Sequence, residues 1–100
     1  MTKPAFDETI HAPNRLQICA MLAAVESAEF SVIRDGLEIS DSVLSKHVKV
    51  LQTSGYVKVT KTSGKAPRST WLTLTPAGRK ALAGHLAELR RIADMADLPT

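Results

Sequence analysis

The stretch that decides the fold runs Ser40-Asp41-Ser42-Val43-Leu44-Ser45-Lys46-His47-Val48-Lys49-Val50-Leu51-Gln52-Thr53-Ser54-Gly55-Tyr56-Val57. Ser40 opens a helix, because its hydroxyl can accept from amides of the first turn. Asp41 suits the positive end of the helix dipole. At steps of about 100° the residues split cleanly. Leu44, His47, Val48 and Leu51 share one stripe. Asp41, Ser42, Ser45, Lys46, Lys49, Gln52 and Thr53 share the opposite arc. Gly55 is the natural stop. Beyond it the period drops to two, with Val57 and Val59 set against Tyr56, Lys58 and Thr60.

Alternation returns after Ser63-Gly64-Lys65-Ala66-Pro67-Arg68, where Leu72 and Leu74 oppose Trp71 and Thr73. Two such runs around a Gly- and Pro-containing loop predict an antiparallel hairpin. A pair of strands this small needs helices to pack on. Thr75-Pro76 then reads as a cap followed by proline at the first helical position. The last helix is expected from Pro76 to about Ala96. Its Leu82, Leu86, Leu89, Ala93 and Ala96 form a heptad-like seam, with Ile92 beside it.

Upstream, Leu16, Ile18, Cys19, Met21, Leu22 and Val25 recur at helical spacing, and Pro13 suits the start. Phe6 to Ile10 reads as a short helical turn. Ser27 to Phe30 breaks the period; Ser31 is expected to cap a second short helix that Gly36 ends. The expected fold class is mainly α with a small β-hairpin (α+β). Its organisation is a single unit: an N-terminal arm or short helix over 1–12, a core over 13–75 and a long helix over 76–96.

The chain has 100 residues, one domain's worth. Thirteen basic and ten acidic residues give a net charge of +3. Their distribution says more. Between Ser42 and Ala87 lie eight basic residues and no Asp or Glu, so that half carries +8 and the rest −5. Such segregation suits a polyanion. The lone Cys19 fits a reducing compartment. There is no apolar run of about 18 residues to span a membrane. Asp7 and Glu8 stand where a signal segment would be basic and then apolar. A cytoplasmic protein without a membrane partner is expected.

Helices, a hairpin and a basic tip together make a winged helix-turn-helix. The 40–57 stretch resembles the segment from recognition helix to wing in the MarR and ArsR groups of bacterial transcriptional regulators. There a Ser-x-His-Leu-x-x-Leu-x-x-x-Gly-Leu/Tyr-Val string is typical. Leu72-Thr73-Leu74-Thr75-Pro76-Ala77-Gly78-Arg79 resembles their exit from the wing. The resemblance covers roughly Asn14 to Leu89 and is closest to short, single-domain members.

The resemblance implies a homodimer on double-stranded operator DNA, most simply a repressor at an inverted repeat. It implies that Ser42, Ser45, Lys46 and Lys49 face the groove and that Lys61, Lys65 and Arg68 act on the wing. Many ArsR members carry paired cysteines for metals; one cysteine here argues against thiolate metal sensing. From the residues alone, Lys46 and Lys49 point from one arc, so both reach DNA together. Arg79 sits in the first turn of the last helix, badly placed for that dipole, which suggests a phosphate contact. Leu82, Leu86, Leu89, Ile92, Ala93 and Ala96 are the expected dimer interface, with Phe6 to Ile10 and Leu16 able to join it.

Other residues have plainer readings. His47, on the apolar stripe, is expected to be packed and hydrogen-bonded. Cys19 is expected to be a buried apolar thiol. Trp71 pads the hairpin or lines a small cleft. His11, His47 and His85 are far apart and lack ligand spacing, so no metal and no cofactor is expected. No nucleophile–base pair, phosphate loop or carboxylate dyad points to an enzyme. An unknown small-molecule effector would bind between the dimer helices and the DNA-binding lobe. A winged-helix protein-interaction module and a non-specific architectural DNA binder remain as alternatives.

Overall fold

A computed structural model describes residues 2–62 and 69–97. The wing-loop residues Lys65 and Arg68 lie outside the described residues. The order is α1 (Glu8–His11), α2 (Pro13–Ala23), β1 (Ala28–Glu29), α3 (Phe30–Leu37), α4 (Asp41–Thr53), β2 (Val57–Lys61), β3 (Thr70–Leu74) and α5 (Pro76–Met95).

Helix α4 starts and stops where its sequence says. The Ser40 hydroxyl accepts from the Val43 amide at 3.2 Å. At the far end Gly55 takes φ +79. Tyr56 N–H then reaches the Leu51 carbonyl at 2.9 Å and Gly55 N–H the Gln52 carbonyl at 3.0 Å. These paired bonds satisfy carbonyls the helix end would leave open. Leu44, Val48 and Leu51 are buried. With Ile10, Ile18, Cys19, Leu22, Ile33, Val57, Leu72, Leu74 and Leu82 they form the core.

The sheet has one strand more than the hairpin expected. Its order is β1-β3-β2, with all pairings antiparallel. Ala28 pairs with Leu72 and Glu29 with Trp71. Two residues are too few to show a period, so β1 exists because β3 offers it a free edge. Half-buried Trp71 lies across from Glu29 on one side and Thr60 on the other, padding the face away from Leu72 and Leu74.

Both expected boundaries of α3 shift. The helix begins at Phe30, with Glu29 preceding it and giving no side-chain cap bond. It passes through Gly36 and ends where Glu38 takes the left-handed conformation at φ 54. Gly36 serves packing instead: a Cβ there would stand 2.8 Å from the Met21 Cε of α2.

Helix α5 is capped by Thr75, whose hydroxyl accepts from Gly78 N–H at 3.0 Å and donates to the Gly55 carbonyl at 2.7 Å. Gly78 lets the helix press on the turn after α4, since a Cβ there would fall 2.3 Å from the Tyr56 carbonyl oxygen. The molecule measures 53 × 25 × 21 Å. A 20-residue helix spans about 30 Å, and the last turns of α5 expose Ile92 and Met95.

Candidate nucleic-acid interface

One arginine of α3 bridges to the start of α4. Arg34 reaches Asp35 at 2.9 Å and Asp41 at 2.8 Å. Both carboxylates hold its guanidinium charge, and the Asp41 negative charge at the start of α4 is thereby compensated. Ser42, Ser45, Lys46 and Lys49 are all exposed on this helix.

The register of the sheet brings a wing residue to the same place. Lys61 pairs with Thr70, two steps along from Val59 opposite Leu72. An open groove of 460 Å³ runs between α4 and the sheet, lined by Asp41, Ser45, Lys49 and Gln52 on one side and Lys61 and Thr70 on the other. Val48 and Val59 also line it. Of the expected contact residues, the structure thus gathers Ser45, Lys49 and Lys61. Ser42 and Lys46 lie on the exposed surface of α4 without lining the groove. Gln52 and Thr70 were not expected as site residues. Gln52 was legible, three residues after Lys49 on the same arc. Thr70 depends on the register of the hairpin, which the sequence leaves open.

Arg79 has another occupation than the one its charge suggested. Its guanidinium donates to the Ala23 and Val25 carbonyls, both at 3.0 Å. It therefore closes the C-terminal end of α2, where a cation is favoured. That contact accounts for a cation in the first turn of α5 without any phosphate.

The apolar stripe behaves as its histidine required. His47 is half-buried, with Arg15 Nη1 at 3.2 Å and Asn14 Nδ2 at 3.5 Å. Burial pushes its imidazole below the ordinary value, and the charges of Arg15 and Lys46 push the same way. Cys19 is fully buried, and burial pushes its thiol up to about 11. It is the inert thiol expected.

The seam on α5 divides in two. Leu82 is only 5% exposed and belongs to the chain's own core, which corrects its expected place in a dimer interface. Leu86 packs at the edge of that core. Leu89 and Ala93 are half-buried, while Ile92 and Ala96 are exposed. The heptad spacing could not show where the body of the protein ends along the helix.

Two histidines expected to be unrelated meet: His11 Nδ1 lies 3.0 Å from His85 Nε2. Among the described residues, no three His, Cys, Asp or Glu side chains gather as a metal site. No helix among them is long and apolar enough to cross a membrane.

Residues 14–93 match the family described as winged helix DNA-binding domain. The chain belongs to that family. It is 30% identical over 78 residues to an uncharacterized protein of Methanocaldococcus jannaschii, covering 78% of this chain and 85% of that one. It is similar to a transcriptional regulator homologue of Pyrococcus horikoshii, with TM-score 0.87 and 28% identity over 92% of this chain and 91% of that one. The fold is shared with a MarR-family transcriptional regulator of Silicibacter pomeroyi, at TM-score 0.66 and 24% identity over 85% of this chain and 56% of that one. Its described fold, helices with a small antiparallel sheet, is that of a winged-helix DNA-binding domain.

Proposed function

We propose that the protein is a homodimeric, sequence-specific DNA-binding repressor acting at an inverted-repeat operator. One observation carries the reading: Lys49 on α4 and Lys61 on the wing line one groove, whose one acid, Asp41, is already paired with Arg34. Helix α4 enters the major groove with Ser42, Ser45, Lys46 and Lys49 toward bases and phosphates, and Gln52 is added to that set. Lys61, with Lys65 and Arg68 further along the wing, follows the backbone or the minor groove. Two copies joined along α5, from Leu86 through Leu89, Ile92, Ala93 and Ala96, place their α4 helices on half-sites about 34 Å apart.

Fragments of genomic DNA selected by the protein and sequenced, followed by anisotropy titration, test this. A palindromic site preferred at least about a thousandfold over random DNA is the expected result. Lys46→Ala with Lys49→Ala should abolish that preference. Binding that is tight but indifferent to sequence identifies an architectural protein. No binding at low salt leaves the protein-interaction reading.

We place an effector in the cleft of 760 Å³ between the N-terminal arm and α5, lined by Phe6, Tyr56, Lys80 and Ala81. A thermal-shift screen of small carboxylates and aromatics, with DNA affinity as second readout, tests that placement.

A further inference from the structure

The N-terminal arm is tied down by a chain of hydrogen bonds whose direction is fixed. Asp7 N–H donates to His85 Nδ1 at 3.0 Å. That nitrogen therefore carries no proton, and neutral His85 must carry its proton on Nε2. Nε2 lies 3.0 Å from His11 Nδ1 and donates to it. The proton of His11 accordingly sits on its own Nε2. Phe6 packs on both rings, at 4.8 Å from each centroid. Next to this chain, Ala5 N–H donates to the carbonyl of Gly84 on α5 at 2.9 Å.

We propose that this Asp7–His85–His11 chain is a proton-operated latch, which holds residues 2–7 against α5 while both histidines are neutral and releases them when the pair is protonated. An added proton has no place in the closed arrangement. On His85 Nδ1 it would face the Asp7 N–H, donor against donor. On His11 Nδ1 it would face the His85 Nε2–H. Shifting the His85 proton to Nδ1 only moves the conflict back to Asp7. One bond must break, and the arm is the lighter side. Its release removes one wall of the cleft beside Ala81 and Lys80. The latch goes beyond DNA recognition and stands without it.

The surroundings favour the neutral pair. His85 is fully buried. Burial pushes its imidazole below the ordinary 6.5, and His11 pushes the same way, outweighing Asp7 and Glu88. The Asp7 carboxylate is already engaged, by Ile10 N–H at 3.0 Å and Tyr56 Oη at 2.5 Å. Glu88 on α5 is held by Arg91 at 2.7 Å. From α2, Cys19 stays a neutral thiol. With the arm closed, burial holds the His85 imidazole below its ordinary value, so His85 takes up its proton more readily once the arm has left. Closure is therefore favoured at high pH, where His85 is neutral in both states, and weakens as pH falls. One proton weakens closure by up to about tenfold per pH unit.

Amide hydrogen exchange on the full chain, corrected for intrinsic rates, reads this directly between about pH 8 and about pH 5. Protection of Ala5 and Asp7 should fall with the stated slope while Leu44 and Leu72 keep theirs. His85→Asn offers Asp7 an acceptor that does not titrate, so protection there should be flat. Flat protection in the wild type, or the same slope in His85→Asn, overturns the proposal. Should His85→Asn not fold, His11→Gln at an exposed position replaces it. Without the second imidazole one of the excluded protons is gone, so protection should fall less steeply with pH than in the wild type; an unchanged slope counts against the latch. Ring nitrogen chemical shifts of the wild type should show His85 protonated on Nε2 alone at neutral pH; an Nδ1–H tautomer overturns it.

Discussion

Single residues decide most where an atom has no room. Gly78 and Gly84 both lie on α5 and both are buried, yet they answer differently to the same change. A methyl at Gly78 meets the Tyr56 carbonyl at 2.3 Å, and backbone there cannot step aside. Gly78→Ala should destabilise by about 2 kcal/mol or more. A methyl at Gly84 meets the Ala5 Cβ and the Lys3 carbonyl at 3.4 Å, an ordinary contact. Gly84→Ala should stabilise by up to about 1 kcal/mol through helix propensity. Denaturant midpoints of the two variants, at unchanged slope, check the opposite signs. Neither sign was legible beforehand. Both glycines sit in one helical pattern, and only the neighbours brought by folding distinguish them.

At the scale of elements, ends matter more than middles. Helix α4 was legible from Ser40 to Gly55 because its cap, its dipole partner and its stop are all local. Ser40→Ala should cost about 1 kcal/mol in chemical unfolding. Arg79 shows the converse. Its carbonyl partners, Ala23 and Val25, lie more than fifty residues away in sequence, so its charge looked misplaced. Arg79→Ala should lower stability by about 1 kcal/mol and leave the salt dependence of DNA binding unchanged. Lys49→Ala should do the reverse, with little change in stability and a salt slope shallower by about one per protomer. The two variants, measured by calorimetry and by binding at several salt concentrations, separate structural from interfacial cations.

For the whole molecule, α5 runs from the chain's own core to an exposed end, the part assigned to the proposed dimer. Leu82 is enclosed, while Ile92 is 42% and Met95 74% exposed near the end of the same helix. Helical turns beyond the body are marginal alone, and in the proposed homodimer a second copy would bury these side chains. Ile92→Glu should leave a folded monomer with operator affinity reduced at least about tenfold, as sedimentation and titration would show. Leu82→Glu should unfold the protein instead, because it buries an unpaired charge. A dimer that survives Ile92→Glu would place the interface elsewhere.

The helices with local signals, the inward faces of the hairpin, the acid-free half and the winged-helix resemblance could all be read along the chain. These depend on period, caps and charge order, which are properties of neighbours along the chain. Folding brought about the third strand, the extension of α3 past Gly36, the placing of Lys49 and Lys61 along one groove, the anchoring of Arg79 and the joining of His11 to His85. Each of these needs groups that sequence separates and packing brings together. No local rule weighs a contact whose second partner lies dozens of residues away.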